Sequence, residues 1–238
     1  MTAVILDEIP FEPEFGPLAR KLRLGADSAR TGQLRRLLDE AQAIARPRAL
    51  YRVAYVDSRT EDSVTLDGHT FKSRVLRVNL AEVHRVFAYV ATCGEELYEW
   101  KTSLEDMLER YYADTINEAA LRAARRALRE HFIERYRLGR TATMNPGSLE
   151  DWPIYQQRPL FALLGNPEEA IGVRLSPSML MIPPKSVSGI RFPTEKRFAS
   201  CQLCPREGCP SRRAPYDEAL YERGFAPHDS ARDASPEG

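Results

Sequence analysis

The spacing of apolar residues in the first half of the chain predicts helices and strands in irregular order. Apolar residues recur every three or four positions over 31–45, which predicts a helix that Pro47 ends. The largely apolar segments at 50–56 and 85–92 predict two strands, of which the second is predicted to be buried. Two short alternating segments flank an Asp-Gly pair within 64–71, so that stretch predicts a β-hairpin.

The second half is dominated by one long periodic segment. Its apolar stripe predicts a helix that begins at an N-cap Ser103 and extends to Tyr136, and its other face is basic and predicted to be solvated. The pattern after Gly139 predicts, in order, an irregular segment, a helix and two strands, at 140–147, 155–164, 171–175 and 188–192.

The predicted helices and strands follow one another without regular alternation. This order favours an α+β fold with an antiparallel or mixed twisted sheet flanked by helices. We divide the chain into an N-terminal α/β portion (1–100), a central portion (101–200) and a Cys-rich loop with a polar tail (201–238), which together are expected to form one compact domain. Residues 1–16 predict an extended arm, and residues 226–238 a frayed tail.

Composition excludes several classes of function. The formal net charge of the 238 residues is zero, so no global electrostatic argument favours nucleic acid or an acidic membrane surface. No apolar run approaches the ~20 residues that span a bilayer, and the N-terminus lacks the basic start of a signal peptide. We therefore expect a cytoplasmic protein that binds neither nucleic acid nor membrane.

Three of the four cysteines, Cys201, Cys204 and Cys209, lie within nine residues. Such clustering in a cytoplasmic chain indicates metal or redox chemistry more often than disulfides. Three interpretations remain: a [4Fe–4S] cluster, a structural zinc ion, or unligated thiols. Proline after Cys204 and Cys209 favours the cluster, and zinc calls for a fourth ligand, for which Cys93 and His228 are candidates.

Two segments carry a resemblance to a known family. In 171–192, I-G-V-R-L-S-P-S-M-L-M-I-P-P-K-S-V-S-G-I-R-F is similar to a run of the type L-T-E-S-x-A-M-x-P-x-x-x-V-S-G. Upstream, E-R-Y-R-L-G-R-T-A-T-M-N-P in 134–146 is similar to a segment of the type E-x5-R-x4-Y-P. Both resemble the activation domain of cobalamin-dependent methionine synthase, over roughly residues 105–200.

The resemblance implies a curved α+β domain that binds S-adenosylmethionine. In that family the domain docks on a corrinoid-carrying module, so that inactive cob(II)alamin is reduced and remethylated. This chain departs from the pattern in three respects. Asn145 stands where the family has tyrosine, the other modules of the full enzyme are absent, and the cysteine loop is additional.

The resemblance also assigns the binding residues. Arg140 is expected to grip the ligand carboxylate with a bidentate fork. Glu134 is expected to accept from the ammonium or the ribose, and backbone groups of the loop from Thr141 to Asn145 to meet the adenine. Ser188 and Gly189 either admit the ligand close to the main chain or form a tightly packed strand. Spacing alone favours a surface ion pair between Glu134 and Arg140, and it is the resemblance that favours a binding site.

These expectations lead to one main hypothesis and two rivals. The main hypothesis is an S-adenosylmethionine-binding reactivation component that acts in trans on a corrinoid protein or cobalamin-dependent methyltransferase. Whether it is itself an enzyme stays open. The first rival is an iron–sulfur electron-transfer adaptor that has lost ligand binding, and the second is a zinc-stabilised scaffold protein.

Overall fold

The computed structural model describes residues 2–25, 29–195, 198–209 and 212–226. His228 and the rest of the predicted tail from residue 227 onward lie outside the described residues. None of the helices within these ranges is long and apolar enough to cross a membrane.

An antiparallel sheet forms the centre of the fold. Six strands follow the order β4-β3-β2-β5-β9-β6, β1 pairs with β2, and β7 and β8 form a separate two-stranded ladder. The strands are β1 (Val4–Leu6), β2 (Arg48–Arg59), β3 (Ser63–Leu66), β4 (His69–Lys72), β5 (Arg85–Thr92), β6 (Thr141–Met144), β7 (Arg174–Leu175), β8 (Met181–Ile182) and β9 (Ser186–Pro193).

Helices cover both faces of this sheet. They are α1 (Phe15–Lys21), α2 (Ala29–Ile44), α3 (Arg74–Asn79), α4 (Glu95–Ser103), α5 (Met107–Tyr136), α6 (Gln157–Leu164), α7 (Pro167–Ile171) and α8 (Leu220–Gly224). Short 3₁₀ turns occupy Ile154–Gln156 and Ser200–Leu203.

The core sits on the two faces because side chains alternate along the central strands. On one face, Tyr51 and Phe87 pack against Phe132 of α5. On the other, a larger cluster that includes Leu50 and Val86 packs under α3, α6 and α7. Burying each such large apolar side chain stabilises the fold by about 1.5–3 kcal/mol. A third cluster lies among α1, α2, α4 and the first half of α5.

The predicted fold class is confirmed: helices flank a central antiparallel sheet. The sheet is continuous across the proposed boundary at residue 100, because β5 pairs with β9 over Phe87–Thr92. Leu203 and Tyr221 of the C-terminal portion pack against the larger core cluster.

Three local predictions are wrong. Ser103 ends α4, and it is the Asp106 carboxylate that caps α5 by accepting the N–H groups of Leu108 and Glu109 at 2.7 and 3.0 Å. Residues 141–144 are strand β6 rather than irregular, because β9 supplies their ladder partners. Residues 167–171 form α7, which a left-handed Gly172 ends, so the strand predicted at 171–175 is reduced to β7.

Candidate functional site

Pairing of β6 with β9 brings three of the six predicted ligand residues together, namely Asn145, Ser188 and Gly189, whereas Thr141 lies at the other end of β6. The register joins Thr141 to Pro193 and Met144 to Ile190, so Asn145 follows directly beside the middle of β9. The Asn145 amide nitrogen donates to the Ser188 carbonyl oxygen at 2.5 Å and to the Tyr89 hydroxyl at 3.0 Å. The side chain that replaces the family's tyrosine is therefore fixed between two strands.

Gly189 lies where β9 makes its closest approach to its neighbours. A Cβ atom built there would lie 2.5 Å from the Asn145 amide nitrogen and 3.2 Å from the Tyr89 hydroxyl, and closer still to the Met144 carbonyl oxygen. The nearest of these atoms is backbone and cannot rotate away. The contacts around Gly189 explain why this strand position takes a residue without a side chain.

Ser188, the residue before Gly189, faces the opposite side of the sheet and is 2% exposed. Its hydroxyl donates to the side-chain oxygen of Gln157 at 2.5 Å. Gln157 is equally buried, and its amide nitrogen donates to the Met179 carbonyl oxygen at 3.4 Å. Gln157 was not among the predicted site residues; the signal for it was a glutamine at the start of a largely apolar helix.

A cavity of about 480 Å³ opens beside this network, and this volume is within the range of small-ligand pockets. Its walls are mainly apolar, with a few convergent polar groups. They come from the segments 145–157 and 176–188, which include Ser178, Met181 and Val187 of the run quoted above. The lining residues are Asn145, Pro146, Ile154, Gln157, Ser176, Ser178, Leu180, Met181, Ile182, Pro184, Ser186, Val187 and Ser188.

Arg140 and Glu134 do not line this cavity. The exposed Arg140 guanidinium donates to the Glu195 backbone carbonyl at 3.1 Å. Glu134 is exposed near the end of α5, and among the described residues no ion pair joins it to Arg140. Thr141 accepts a hydrogen bond from Arg191 at 2.8 Å. Their assignment as ligand residues stays a prediction.

The cysteine loop is organised around Arg212. Its guanidinium donates to the carbonyl oxygens of Cys201 at 3.0 Å and Cys204 at 3.1 Å, and also to that of Arg206. Its backbone N–H donates to the Cys209 carbonyl at 3.1 Å. One arginine thus contacts the main chain of all three cysteines. Across the described ranges, however, no three metal-ligating side chains are arranged to hold a metal ion.

The thiols of Cys201 and Cys93 have opposite environments. Burial acts to raise the pKa of Cys201, but hydrogen bonds and charge from Arg213 outweigh it, so the pKa is lowered. The Arg213 backbone N–H lies 3.4 Å from the Cys201 sulfur. Burial raises the pKa of Cys93 to about 12, and this residue belongs to the helical cluster on α2 and α5, whereas Cys204 packs on the larger cluster. Cys93 is therefore poorly placed as a fourth ligand.

Comparison with known proteins gives one kind of match. No protein-family model matches the sequence, and a search of curated proteins finds no match. Among solved structures, the chain is similar to the crystal structure of the MetH reactivation domain bound to AdoHcy, with a TM-score of 0.60 and 16% sequence identity. The likeness covers 84% of this chain and 81% of that chain. The chain shares the fold of that domain.

Proposed function

We propose that this protein binds S-adenosylmethionine and serves as a reactivation component for a corrinoid methyltransferase, acting in trans. The observation that carries the proposal is the fold likeness to the MetH reactivation domain bound to AdoHcy over 84% of this chain. AdoHcy is what remains when S-adenosylmethionine gives up its methyl group. The quoted sequence segments resemble the same family, and parts of them form β6, β9 and the wall of the cavity beside these strands.

In this proposal the protein positions a methyl donor and the partner's corrinoid carries the reaction. The partner's corrinoid would supply the nucleophile: once an external reductant had delivered one electron to cob(II)alamin, the reduced corrinoid would take the methyl group of S-adenosylmethionine and leave AdoHcy. Arg140 is assigned to the ligand carboxylate, Glu134 to its ammonium or ribose, and the backbone from Thr141 to Asn145 to the adenine. Ser188 and Gly189 are assigned to the stretch of main chain that the ligand approaches.

Calorimetric titration with S-adenosylmethionine and with AdoHcy tests the binding step. We expect both ligands to bind, and we expect Arg140→Lys to weaken binding about tenfold or more because lysine cannot reproduce a bidentate fork. Arg137→Lys is the matched control, since Arg137 is an exposed arginine three residues away. No heat with either ligand at millimolar concentration would remove the proposal.

Asn145→Tyr examines the departure from the family pattern. Tyrosine restores an aromatic face for the adenine but gives up the amide bonds to Ser188 and Tyr89. We expect tighter S-adenosylmethionine binding together with a small loss of stability. Unchanged or weaker binding, measured beside an intact wild-type control, would place the adenine away from residue 145.

We further propose that Cys201, Cys204 and Cys209 hold an inorganic centre, either a [4Fe–4S] cluster or zinc. Two features support it: Arg212 gathers the backbone of all three residues, and the pKa of the Cys201 thiol is lowered, which favours the thiolate that ligates metal. A cluster would supply the low-potential electron for the corrinoid. The present arrangement of the sulfur atoms requires adjustment to close on a metal.

Metal and sulfide analysis of anaerobically purified protein separates the alternatives. Iron with acid-labile sulfide supports the cluster, and zinc alone supports a stabilising ion, with unfolding upon chelation. Cys204→Ser is expected to lose the centre, while Cys93→Ser is expected to keep it. A cluster in a protein that binds no S-adenosylmethionine would instead favour the electron-transfer adaptor. Protein with neither iron nor zinc would overturn the metal site.

A further inference from the structure

The tip of the β7–β8 hairpin forms one wall of the cavity beside Asn145. Its residues 176–180 make a closed turn, in which the Ser176 N–H donates to the Leu180 carbonyl at 2.8 Å. The ladder of this hairpin holds only two residue pairs, and a two-stranded hairpin on its own is marginally stable in water. The tip therefore depends on its contacts with the rest of the molecule.

The backbone of Met179 makes this dependence stronger. Its φ of 64° lies in the left-handed region, which a residue with a long side chain rarely adopts. Such a conformation persists where the surrounding structure holds it in place. The Met179 carbonyl oxygen accepts from the Gln157 amide nitrogen at 3.4 Å. Within the part of the chain that the structure describes, this is the one hydrogen bond found between 176–180 and the rest of the protein.

Gln157 joins two walls of the cavity. Its side-chain oxygen accepts from the Ser188 hydroxyl on β9 at 2.5 Å, while its amide nitrogen donates to Met179 of the tip. Gln157 is 2% exposed and lines the cavity itself. A buried amide is held by its partners, because each bond left unmade costs the desolvation of that group. One side chain on α6 thus fixes the distance between β9 and the hairpin tip.

The lining of the cavity indicates what kind of group it takes. Among the described residues, its walls consist of apolar side chains, serines, one asparagine and one glutamine, and none of them carries a formal charge. Such walls cannot compensate a buried charge. The cavity therefore suits an uncharged group, whereas the charged amino-acid end of the ligand is assigned above to Arg140 and Glu134, outside it.

We propose that Gln157 is a positioning residue, which holds the hairpin tip beside β9 and thereby fixes the width of the cavity for an uncharged group of the ligand. The position of the tip does not depend on the proposed function, but the effect on ligand affinity rests on it. Loss of the Gln157 amide releases the tip and leaves the core clusters in place, because none of the residues 176–180 is buried.

Hydrogen exchange of the ligand-free protein, followed by mass spectrometry on peptides that cover 174–182, tests the position of the tip. Gln157→Met keeps the length of the side chain and removes its polar group. We expect it to speed exchange at the tip about fivefold, the change that the loss of one neutral hydrogen bond produces.

The matched control is Gln156→Met. Gln156 is the adjacent buried glutamine, but its oxygen accepts from the Lys72 N–H at 2.9 Å and it does not line the cavity. We expect exchange at the tip to stay within about twofold of wild type in this variant. Equal rates at the tip in the two variants would overturn the assignment of Gln157. Gln157→Asn, which is one methylene too short to keep both bonds, takes the place of Gln157→Met where that variant does not fold.

Calorimetry with AdoHcy measures the effect on the ligand. We expect Gln157→Met to weaken AdoHcy binding about fivefold and Gln156→Met to leave it within about twofold of wild type. Faster exchange at the tip with unchanged AdoHcy affinity would overturn the link between the tip and the ligand. Wild-type protein that binds no AdoHcy would remove the proposed function instead, and the exchange rates would still decide the role of Gln157 in holding the tip.

Discussion

The two regions assigned to chemistry are built in different ways. The β6 and β9 pair, with Asn145, Ser188 and Gly189, belongs to the central sheet, and Ser188 is 2% exposed. The cysteine loop consists of one 3₁₀ turn and irregular backbone, held by hydrogen bonds from Arg212. The sheet region is fixed by strand pairing and by packing on both faces, which tolerate little change. The loop packs on the core at its edge, through Leu203 and Cys204, and is otherwise held by polar contacts. A metal ion would therefore reorganise the loop far more easily than the sheet region.

The largest expected effect is that of Gly189→Ala on the free energy of unfolding. The added Cβ would meet backbone and side-chain atoms of Met144 and Asn145, so we expect a loss of about 2–3 kcal/mol in urea unfolding. Gly139→Ala is the matched control, because nothing lies within 4 Å of a Cβ at Gly139. A loss below about 0.5 kcal/mol at Gly189 would show that the sheet is looser than its contacts indicate.

Ser188→Ala examines the same region through hydrogen bonding rather than sterics. The change removes the donor to Gln157 and leaves a buried amide oxygen without that partner. We expect a destabilisation of about 1–2 kcal/mol in urea unfolding. Ser58→Ala, at an exposed position of β2, serves as the control. Equal effects of the two substitutions would mean that the Ser188 bond contributes nothing specific.

Arg212→Gln should affect the loop and leave the sheet untouched. Loss of the donors to the Cys201 and Cys204 carbonyls is expected to speed thiol alkylation of the loop severalfold. We expect the free energy of unfolding to fall by no more than about 1 kcal/mol, because the contacts are only part-buried. Arg206→Gln is the control, as Arg206 is exposed and contributes only its backbone carbonyl. A large loss of global stability would contradict the distinction between the two regions.

The pH dependence of alkylation compares one thiol of the cysteine loop, Cys201, with the buried thiol of Cys93. Only thiolate reacts, and the pKa of Cys201 is lowered while that of Cys93 is raised to about 12. Cys201 should therefore label at a pH below the usual thiol range, and Cys93 should remain unlabelled at pH 8 until the protein unfolds. Peptide mapping by mass spectrometry measures both. Labelling of Cys93 before Cys201 in folded protein would reverse this assignment.

Local pattern was enough to identify much of the fold. The helix ended by Pro47, the hairpin at Asp67-Gly68 and the strand at 85–92 were predicted because each has a periodicity or turn signal within its own residues. The α+β class followed from their order. The short elements α3 and α7 were missed because a helix of one or two turns shows too few apolar repeats to be recognised.

The residues of the candidate site could be predicted less well from the local sequence pattern. The residues from Thr141 to Met144 form a strand only because β9, more than 40 residues later, supplies hydrogen-bond partners, so nothing local distinguishes them from a loop. Gln157 joined the site for a similar reason, since its partner Ser188 is distant in sequence. The placement of Arg140 outside the cavity is likewise a matter of where its strand begins in the sheet.

The sequence by itself determined the alternation of helices and strands, the cysteine cluster and the segments that resemble a known family, because each depends on neighbouring residues. Only the tertiary structure decided which strands lie side by side, and that Asn145 bridges to Ser188 and Tyr89. Such contacts arise from long-range backbone pairing and packing, in which the energy of each partner depends on a residue that its own surroundings in sequence do not specify.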